Sequence, residues 1–412
     1  MKRLIIIFTI AVSLFSCTGH QTRGQTETGD TVSFKYARLL TVEQCDGYRL
    51  VTIKNPWKEG KVLHRYQLLP RPVDCGNAAV YRTDAADRPV DCGNAAVHGT
   101  DAAVHRTDAT VVRVPLQRSV VFTSVHAALL AVLGAEQQVA GVADLKYMKV
   151  PFVQEGVASG RIADCGDGMA PVVEKIIDAE ADAILLSPFE NSGGYGRLEE
   201  IDIPLIECAE YMEQSPLARA EWVRFYGMLY GCEREADSLF AVVDSSYHAL
   251  KRQAERAAED SGKRRDGDSS WLPSVLMDKQ TGSVWYVPGG RSTIGQMLAD
   301  AHCSYAFSAD EHSGSLALPF ETVLEKCGEA DVWLFRYDSK QTITRAQLAA
   351  EQPGYGQLRP LREGRLYGCN VMTSMFYEET PFRPDLLLQD FVTILHPEAG
   401  GQPPLRYYQE IP

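Results

Sequence analysis

The stretch EREADSLFAVVDSSYHALKRQAERAA, residues 233–258, decides how this chain is organised. Apolar side chains recur along it at the three- and four-residue spacing of one helical face: Ala236, Leu239, Phe240, Val243, Tyr247 and Leu250. Such a helix is about 39 Å long, which is the span of a domain. A polar run, EDSGKRRDGDSS, follows it and is typical of a domain boundary. The alternative, one more surface helix, does not account for that boundary, so we predict a helix that connects two units.

Both flanking regions alternate between strand and helix patterns. Before the helix we predict strands at 119–124, 138–144, 183–188 and 203–210, with helices at 126–133 and 169–181. After it we predict strands at 273–279, 282–290, 330–338 and 365–370, with a helix at 293–301. Such alternation is typical of mostly parallel sheets covered by helices. The fold class is therefore α/β, with an N-lobe at 110–232, a C-lobe at 272–397 and a C-terminal tail at 398–412.

Residues 31–109 lack this alternation. Within 31–70, two alternating runs flank Asp46-Gly47 and predict a hairpin, and 61–70 predicts a further strand, so we expect a β extension here. The phrase RPVDCGNAAV occurs at 71–80 and again at 88–97, an offset of 17 residues. Solenoid units are longer and pack against one another, so this exact copy indicates a recent duplication in a surface loop. We predict that 71–109 is an exposed, low-order insertion without a function.

The N-terminus is typical of an export signal. Two basic residues precede an apolar run too short to span a bilayer, and residues 1–16 therefore predict a signal peptide. The end of that run, LFSC, resembles a bacterial lipobox, which makes Cys17 the expected lipidated residue; ordinary cleavage that leaves a plain cysteine is the alternative. Residues 17–30 then form a flexible tether. We expect an exported lipoprotein, periplasmic or on the cell surface, that contacts the membrane through its lipid anchor only.

Composition narrows the possible functions. The 412 residues include 41 basic and 54 acidic side chains, for a net charge of −13, which argues against a nucleic-acid partner. The ten cysteines are scattered singly without zinc-site spacing, so we expect mostly buried thiols and no metal site. Phosphate-loop, nucleophile-elbow and HExxH motifs are absent from the sequence. Although Glu378 and Glu379 could act as paired carboxylates, we predict that the protein is not an enzyme.

The order of these units resembles a known family. SVVFTSVHAALLAVLGAEQQVAGVAD and MAPVVEKIIDAEADAILLSP look like the N-lobe units of helical-backbone (class III) ABC-transporter substrate-binding proteins, which deliver ferric siderophores, haem and cobalamin. WYVPGGRSTIGQMLADA and LPFETVLEKCGEADVWLF resemble units of the C-lobe of that family. The resemblance covers about residues 110–397 and includes the long helix. Each phrase alone is generic, and the case rests on their order.

The resemblance implies how the protein works. A rigid helix limits lobe movement, and an iron complex, either a ferric siderophore or haem, is captured between the lobes and delivered to an inner-membrane permease dimer with its ATPase. Cobalamin is the alternative ligand, and no resident cofactor is expected. In this family a glutamate on each lobe pairs with permease arginines. Glu321 fits the C-lobe position, but the N-lobe position is Ala128, which puts symmetric docking in doubt.

Ligands of open α/β sheets bind beyond the carboxyl ends of the strands. The residues expected there in the N-lobe are Ser124, His126, Tyr147, Phe189, Asn191, Tyr195 and Tyr211, together with the neighbours of Tyr147 from Asp144 onward. Those expected in the C-lobe are Trp285, Tyr286, Arg291, Arg336, Tyr337, Phe376 and Tyr377. Aromatic rings suit a flat ligand, and arginines suit a negative charge such as a haem propionate or citrate. Burial in the core is the alternative for Trp285 and Tyr337, and helix capping is the alternative for His126.

A second class of function stays open at this point. A haem- or iron-scavenging surface lipoprotein that works without a permease has the same export signal and the same two lobes, and the missing carboxylate at Ala128 slightly favours it.

Overall fold

The computed structural model describes residues 31–74, 79–80, 108–190, 194–264, 272–399 and 403–412. The expected signal peptide, the lipidation site Cys17, the tether, most of the repeat insertion and Asn191 lie outside these residues. The described chain forms an N-terminal sheet and two α/β lobes that a long helix connects, which confirms the predicted fold class.

The N-terminal sheet contains the predicted hairpin. Its strands are β1 (Thr31–Val32), β2 (Leu40–Cys45), β3 (Tyr48–Lys54) and β4 (Val62–Pro70); β5 (Val73–Asp74) and β6 (Ala79–Val80) form a separate pair, and β7 (Thr110–Val114) completes the sheet. Gly47 supplies the positive φ of the turn between β2 and β3. Since β4 and β7 pair in parallel, the insertion is the crossover between them. Residues 110–114 thus belong to this sheet, not to the N-lobe as we predicted.

The N-lobe is a parallel sheet with helices. Its elements are β8 (Ser119–Val121), α1 (Ser124–Val132), β9 (Val139–Val142), α2 (Pro151–Ala158), β10 (Ala163–Asp164), β11 (Gly166–Asp167), β12 (Ala170–Pro171), α3 (Val173–Asp178), β13 (Ala183–Leu186), β14 (Leu205–Glu207), α4 (Pro216–Glu221) and α5 (Val223–Tyr230). The strand order is β10-β9-β8-β13-β14, all parallel. The predicted helix 169–181 was too long, because β12 pairs with β11 before α3 begins.

A single helix, α6 (Glu233–Arg264), joins the lobes. It begins at the predicted residue and continues past the predicted end at 258. Ala236 packs in the N-lobe core, whereas Val243 and Tyr247 pack in the C-lobe core. Phe240 contacts both cores, so the helix is seated in each lobe without interruption, as predicted.

The C-lobe repeats the α/β plan with additions. Its elements are β15 (Ser274–Met277), β16 (Gln280–Thr281), β17 (Val284–Pro288), α7 (Thr293–Asp300), β18 (Ser304–Tyr305), β19 (Ser315–Leu318), α8 (Phe320–Cys327), β20 (Val332–Tyr337), α9 (Arg345–Glu351), α10 (Arg359–Glu363), β21 (Leu366–Asn370), α11 (Phe376–Glu379), α12 (Pro384–Leu395) and β22 (Gln409–Glu410). The main sheet has the order β18-β15-β20-β21-β22, parallel except for β22. The predicted strand 282–290 lies elsewhere, since β17 pairs antiparallel with β16 and β19.

The C-terminal residues are part of the C-lobe instead of a separate tail. Strand β22 forms the edge of the main sheet. The buried carboxylate of Asp390 accepts hydrogen bonds from the backbone N–H groups of Arg406, Tyr407 and Tyr408 at 2.7, 2.8 and 3.0 Å. These bonds hold the chain end against α12, which is why our boundary at residue 398 does not separate two structural units.

Candidate functional site

A cavity of about 530 Å³ lies at the carboxyl ends of the N-lobe strands β8, β9 and β13. Its wall consists of Phe122, Thr123, Asp144, Gly168, Met169, Ala170, Pro171, Val173, Leu186, Ser187, Phe189, Gly194, Tyr195, Gly196, Arg197 and Leu198. Most of these side chains are apolar or aromatic. Both the volume and the place in the sheet are those of a small-molecule site.

The cavity contains a carboxylate on a strained backbone. Asp144, which follows β9, has a φ of 53°, a left-handed conformation that non-glycine side chains rarely adopt. A Cβ atom added to Gly168 would lie 2.6 Å from Asp144 Oδ2, so glycine is needed for this close approach. Because β9 is buried and pairs with β8, the backbone holds this carboxylate at the carboxyl ends of the strands.

The Tyr195 wall of the cavity is braced by the N-terminal sheet. The Tyr195 hydroxyl donates to Glu207 Oε1 at 2.7 Å, and His64 Nδ1 lies 3.0 Å from Glu207 Oε2. His64 Nε2 in turn lies 2.7 Å from the Thr110 hydroxyl oxygen. Burial and the neighbouring Glu207 carboxylate raise the pKa of Tyr195, so its hydroxyl stays protonated. The β extension therefore positions a residue of the cavity.

The predicted N-lobe residues separate into three groups. Phe189 and Tyr195 line the cavity. Tyr147 is exposed, and the Tyr211 hydroxyl donates to the Pro188 carbonyl next to the cavity wall. Ser124 lies at the first turn of α1, outside the cavity wall.

His126 was a wrong choice as a cleft residue. Its ring is fully buried, with Nε2 3.0 Å from Glu210 Oε1. The Tyr226 hydroxyl donates to the other Glu210 oxygen at 3.2 Å. Burial opposes ionisation of Glu210, but the charge and hydrogen bond of His126 outweigh it and lower the pKa of Glu210. The packing of α1 on the sheet turns this histidine inward.

His126, Cys208 and Glu210 also form a buried group whose potential ligand atoms lie within 4.8 Å of one another. Hydrogen bonds already engage the histidine and the carboxylate. The buried guanidinium of Arg219 interacts electrostatically with Glu210 and opposes an additional cation. We therefore interpret this group as part of the polar core.

Three of the predicted C-lobe residues are buried in the core. Trp285 is inaccessible and packs with Trp333 and Tyr355 at centroid distances of 5.8 and 5.6 Å. Tyr337 and Phe376 are also buried. These rings face the interior of the lobe because their strands and helix have both faces covered, so they do not line an open cleft.

The two predicted arginines are accessible but paired. Arg336 Nε and Nη2 donate to Asp278 Oδ1 and Oδ2 at 2.8 and 2.7 Å. Burial disfavours the charged guanidinium, yet this two-pronged contact raises the pKa of Arg336. Arg291 donates to Glu311 at 2.9 Å. Tyr286 and Tyr377 are about half exposed, and the Tyr377 ring lies beside the Arg336 guanidinium.

The two lobes also contact each other directly. Helix α11 of the C-lobe packs against α1 of the N-lobe, and Phe382 is buried in the N-lobe core beside Tyr226. Burial raises the pKa of Glu378 in α11, which Lys149 and Ser124 partly offset. The two lobes are therefore in direct contact in addition to being joined by α6.

Sequence reasoning missed most of the cavity wall, including the side chains of Phe122, Met169, Pro171, Arg197 and Leu198. We had assigned 169–171 to a helix, whereas they belong to the turn and strand of the β11–β12 hairpin. The available signal was Gly166 and Gly168 flanking Asp167, a turn pattern before the apolar run.

The two docking positions differ. Glu321 lies exposed in the first turn of α8. Ala128 is buried in α1 and packs in the N-lobe core, so a side chain there does not reach a partner.

The described cysteines are free. Cys165, Cys208, Cys303, Cys327 and Cys369 are buried, and Cys45 and Cys232 are partly buried, which confirms the prediction of mostly buried thiols for this part of the chain. Burial raises the pKa of Cys165 to about 11 and that of Cys303 to about 12.

Known proteins share this sequence pattern and architecture. An uncharacterized lipoprotein of Methanocaldococcus jannaschii is 26% identical over 299 residues, which cover 70% of this chain and 67% of the relative. A periplasmic heme binding protein from Pseudomonas aeruginosa superimposes with a TM-score of 0.51 at 15% identity over 72% of this chain and 98% of its own. A molybdate periplasmic binding protein from Haemophilus influenzae gives 0.52 at 14% identity, over 69% and 87%. At such identities the two structures show a shared fold alone.

Within the described ranges, no helix has the length and apolar character needed to cross a bilayer. The family described as "Periplasmic binding protein" matches residues 120–371, which is more than half of the chain and includes α6 and most of both lobes. The protein therefore belongs to the periplasmic binding protein family, the solute-binding proteins of ABC transporters, and it has the helical-backbone architecture.

Proposed function

We propose that this protein is the substrate-binding lipoprotein of an ABC importer, and that it captures an iron complex, either a ferric siderophore or haem, and delivers it to an inner-membrane permease. The observation that carries this proposal is the apolar cavity at the strand ends of a lobe that α6 joins to a second lobe. The metal ion arrives inside its complex as cargo, so the protein itself needs only to bind the outer surface of that complex.

The aromatic wall suits such cargo. Phe122, Phe189 and Tyr195 present rings to a space of about 530 Å³, within the range of small-molecule sites. Rings bury a large apolar area with little loss of side-chain freedom. Tyr195 is already held by Glu207, which reduces the ordering that the ligand must impose.

The connecting helix limits how far the lobes move. Each end of α6 packs in a different core, and the Tyr247 hydroxyl donates to Asp300 of the C-lobe at 2.8 Å. The α1–α11 contact adds a second link between the lobes. We infer that the permease recognises a small change in lobe position instead of a large closure, with exposed Glu321 as a docking residue.

A thermal-shift screen tests this function. A ligand at 100 times its dissociation constant stabilises the protein by about 2.7 kcal/mol. We expect at least one ferric siderophore, haem or cobalamin to raise the melting temperature, and Phe189→Ala to weaken that effect. Val132→Ala, an exposed apolar position outside the cavity wall, is the matched control. If no metal complex binds, this function is wrong; if the bound complex is chemically converted, the protein is an enzyme.

Two variants of this proposal are separable. Cobalamin binding would keep the transport role and change only the cargo. A scavenging lipoprotein without a permease is favoured by the buried Ala128, which leaves Glu321 without an N-lobe counterpart at the expected position. Import is supported if the wild type co-purifies with the permease and Glu321→Gln weakens this association. Scavenging is supported if the wild type does not co-purify with the permease.

A further inference from the structure

We propose that the cleft selects a complex that carries no net negative charge, and that a positively charged or hydrogen-donating group of that complex binds Asp144. This inference rests on the proposed function and narrows its substrate class. It also replaces our expectation that Arg291 and Arg336 hold an anionic ligand.

Arg336 is already engaged by an aspartate of the same lobe. Both of its donating nitrogens contact Asp278, whose carboxylate is mostly buried. An anionic ligand that took over this guanidinium would leave the Asp278 carboxylate buried without its partner, which is strongly unfavourable. Asp278 cannot easily turn away, because it follows β15 in the left-handed conformation with a φ of 58°.

The other cations near the cavity or in the predicted set are paired as well. Arg197, in the cavity wall, donates to Glu174 at 2.7 Å, and Arg291 donates to Glu311. The Lys146 ammonium lies 3.6 Å from Asp167. Each of these positive charges therefore has an acidic neighbour; the three pairs are exposed to solvent and weak, whereas the Arg336–Asp278 pair is mostly buried.

The two lobes differ in what faces an aspartate at corresponding strand ends. Asp144 follows β9, and Asp278 follows β15; each of these strands is second from one edge of its sheet, beside the central strand. Both aspartates are left-handed. In the C-lobe the central strand β20 supplies Arg336 to the aspartate, whereas in the N-lobe the central strand β8 is followed by Phe122 and Thr123, which carry no charge.

Asp144 is consequently the carboxylate that a ligand can pair with. Among the described residues, its carboxylate has no hydrogen bond or ion pair, and exposed Lys146 interacts with it only through space. The surrounding wall is apolar, which strengthens the attraction between this carboxylate and a ligand cation. The ammonium or amide N–H group of a bound complex would pair with Asp144 in the N-lobe, as Arg336 pairs with Asp278 in the C-lobe.

Isothermal titration with complexes of different charge tests the inference. The probes are ferrioxamine B, a monocationic ferric trihydroxamate; ferrichrome, a neutral one; ferric enterobactin, a trianionic catecholate; haemin, with its propionates; and neutral cyanocobalamin. We expect the cationic or a neutral probe to bind at least about tenfold more tightly than any anionic probe, the difference that one opposed charge at a partly shielded site produces. Comparing ferrichrome with cyanocobalamin shows whether an uncharged ligand is a siderophore or a cobalamin.

Asp144→Asn provides the site-specific arm. Asparagine tolerates the left-handed conformation, so the fold should be kept. We expect this variant to lose about tenfold in affinity for ferrioxamine B relative to ferrichrome, because only the cationic probe loses an ion pair. Glu155→Gln, an exposed position on α2, is the matched control and should change neither affinity. If no cationic probe binds, the comparison is made on the bound neutral probe, whose affinity should fall by less than about tenfold because its hydrogen bond to a carboxylate becomes one to a neutral amide oxygen.

The outcomes are distinct. Tighter binding of an anionic probe, or an Asp144→Asn variant that behaves like the control, overturns the charge selection and leaves the transport function standing. Failure of every probe to bind the wild type overturns the proposed function and this inference together.

Discussion

The contact between α5 and α6 gives a sharp test of how the connecting helix is seated. Gly227 lies inside α5, and a Cβ atom added there would lie 2.6 Å from Ala236 Cβ and 3.1 Å from Glu233 Cα. The second contact is with backbone, so a change of side-chain rotamer cannot relieve it. Gly227→Ala must therefore push α6 away from the N-lobe.

Two opposing terms set the magnitude. In an unobstructed helix, alanine is about 1 kcal/mol more stable than glycine. Overpacking a tight contact costs about 1–3 kcal/mol. Because the added atom would be closer to Ala236 than carbon atoms normally approach, we place the overpacking cost at the upper end. The net expectation is a loss of about 1–2 kcal/mol in the free energy of unfolding.

Urea unfolding followed by tryptophan fluorescence measures this loss. Trp222 lies in the N-lobe core, and Trp285 and Trp333 lie in the C-lobe core, so the fluorescence reports on unfolding of both lobes. Gly356→Ala is the control, since a Cβ atom there meets open space and its φ is not positive. A Gly227→Ala protein that is as stable as this control would refute the close seating of α6 on α5.

Three further predictions address other parts of the structure. The buried carboxylate of Glu221 accepts hydrogen bonds from the backbone N–H groups of residues 35–37, so Glu221→Ala should lower the free energy of unfolding in urea by about 2–4 kcal/mol. Glu235→Ala, at an exposed position, should lower it by less than about 0.5 kcal/mol, and equal effects would contradict the anchoring role of Glu221. Burial lowers the pKa of His396, so its stabilising contribution is complete above about pH 6.5 and is lost as the pH falls through its folded-state pKa. In His396→Gln, the free energy of unfolding should therefore fall less steeply as the pH is lowered below about 6.5. An unchanged dependence on pH would contradict this role of His396. Gly168→Ala should displace the Asp144 carboxylate and weaken binding of the best ligand by about tenfold in calorimetry, with little change in the free energy of unfolding. An unaltered affinity would show that the Asp144 carboxylate does not contact the ligand.

Local patterns were sufficient for much of the fold. The β2–β3 hairpin and the start of α6 lie where the sequence predicts, because turn residues and the three- and four-residue apolar spacing act over short distances. The buried strands β9 and β13 were also predictable, since a strand covered on both faces is a continuous apolar run.

The other parts of the fold depend on pairing between strands that are distant in the sequence, which local patterns do not predict. The sequence of β17 is that of any buried strand, and only its partners β16 and β19 place it in an antiparallel sheet. The parallel pairing of β4 with β7, across the insertion, likewise moved residues 110–114 out of the N-lobe. Trp285 lies between Val284 and Tyr286, a pattern that fits core and cleft alike, and its burial depends on aromatic partners distant in the sequence.

The sequence by itself determined that two α/β lobes flank one long helix, and that polar and aromatic residues follow the strands. Only the tertiary structure decided which of those residues are free to bind. Asp278 and Arg336 are 58 positions apart and meet because β15 and β20 are neighbours in the sheet. Asp144 has no such arginine because the neighbouring strand β8 ends differently. The lateral order of strands comes from burial and hydrogen bonding over the whole lobe, so no local pattern reveals whether a charge at a strand end is already neutralised.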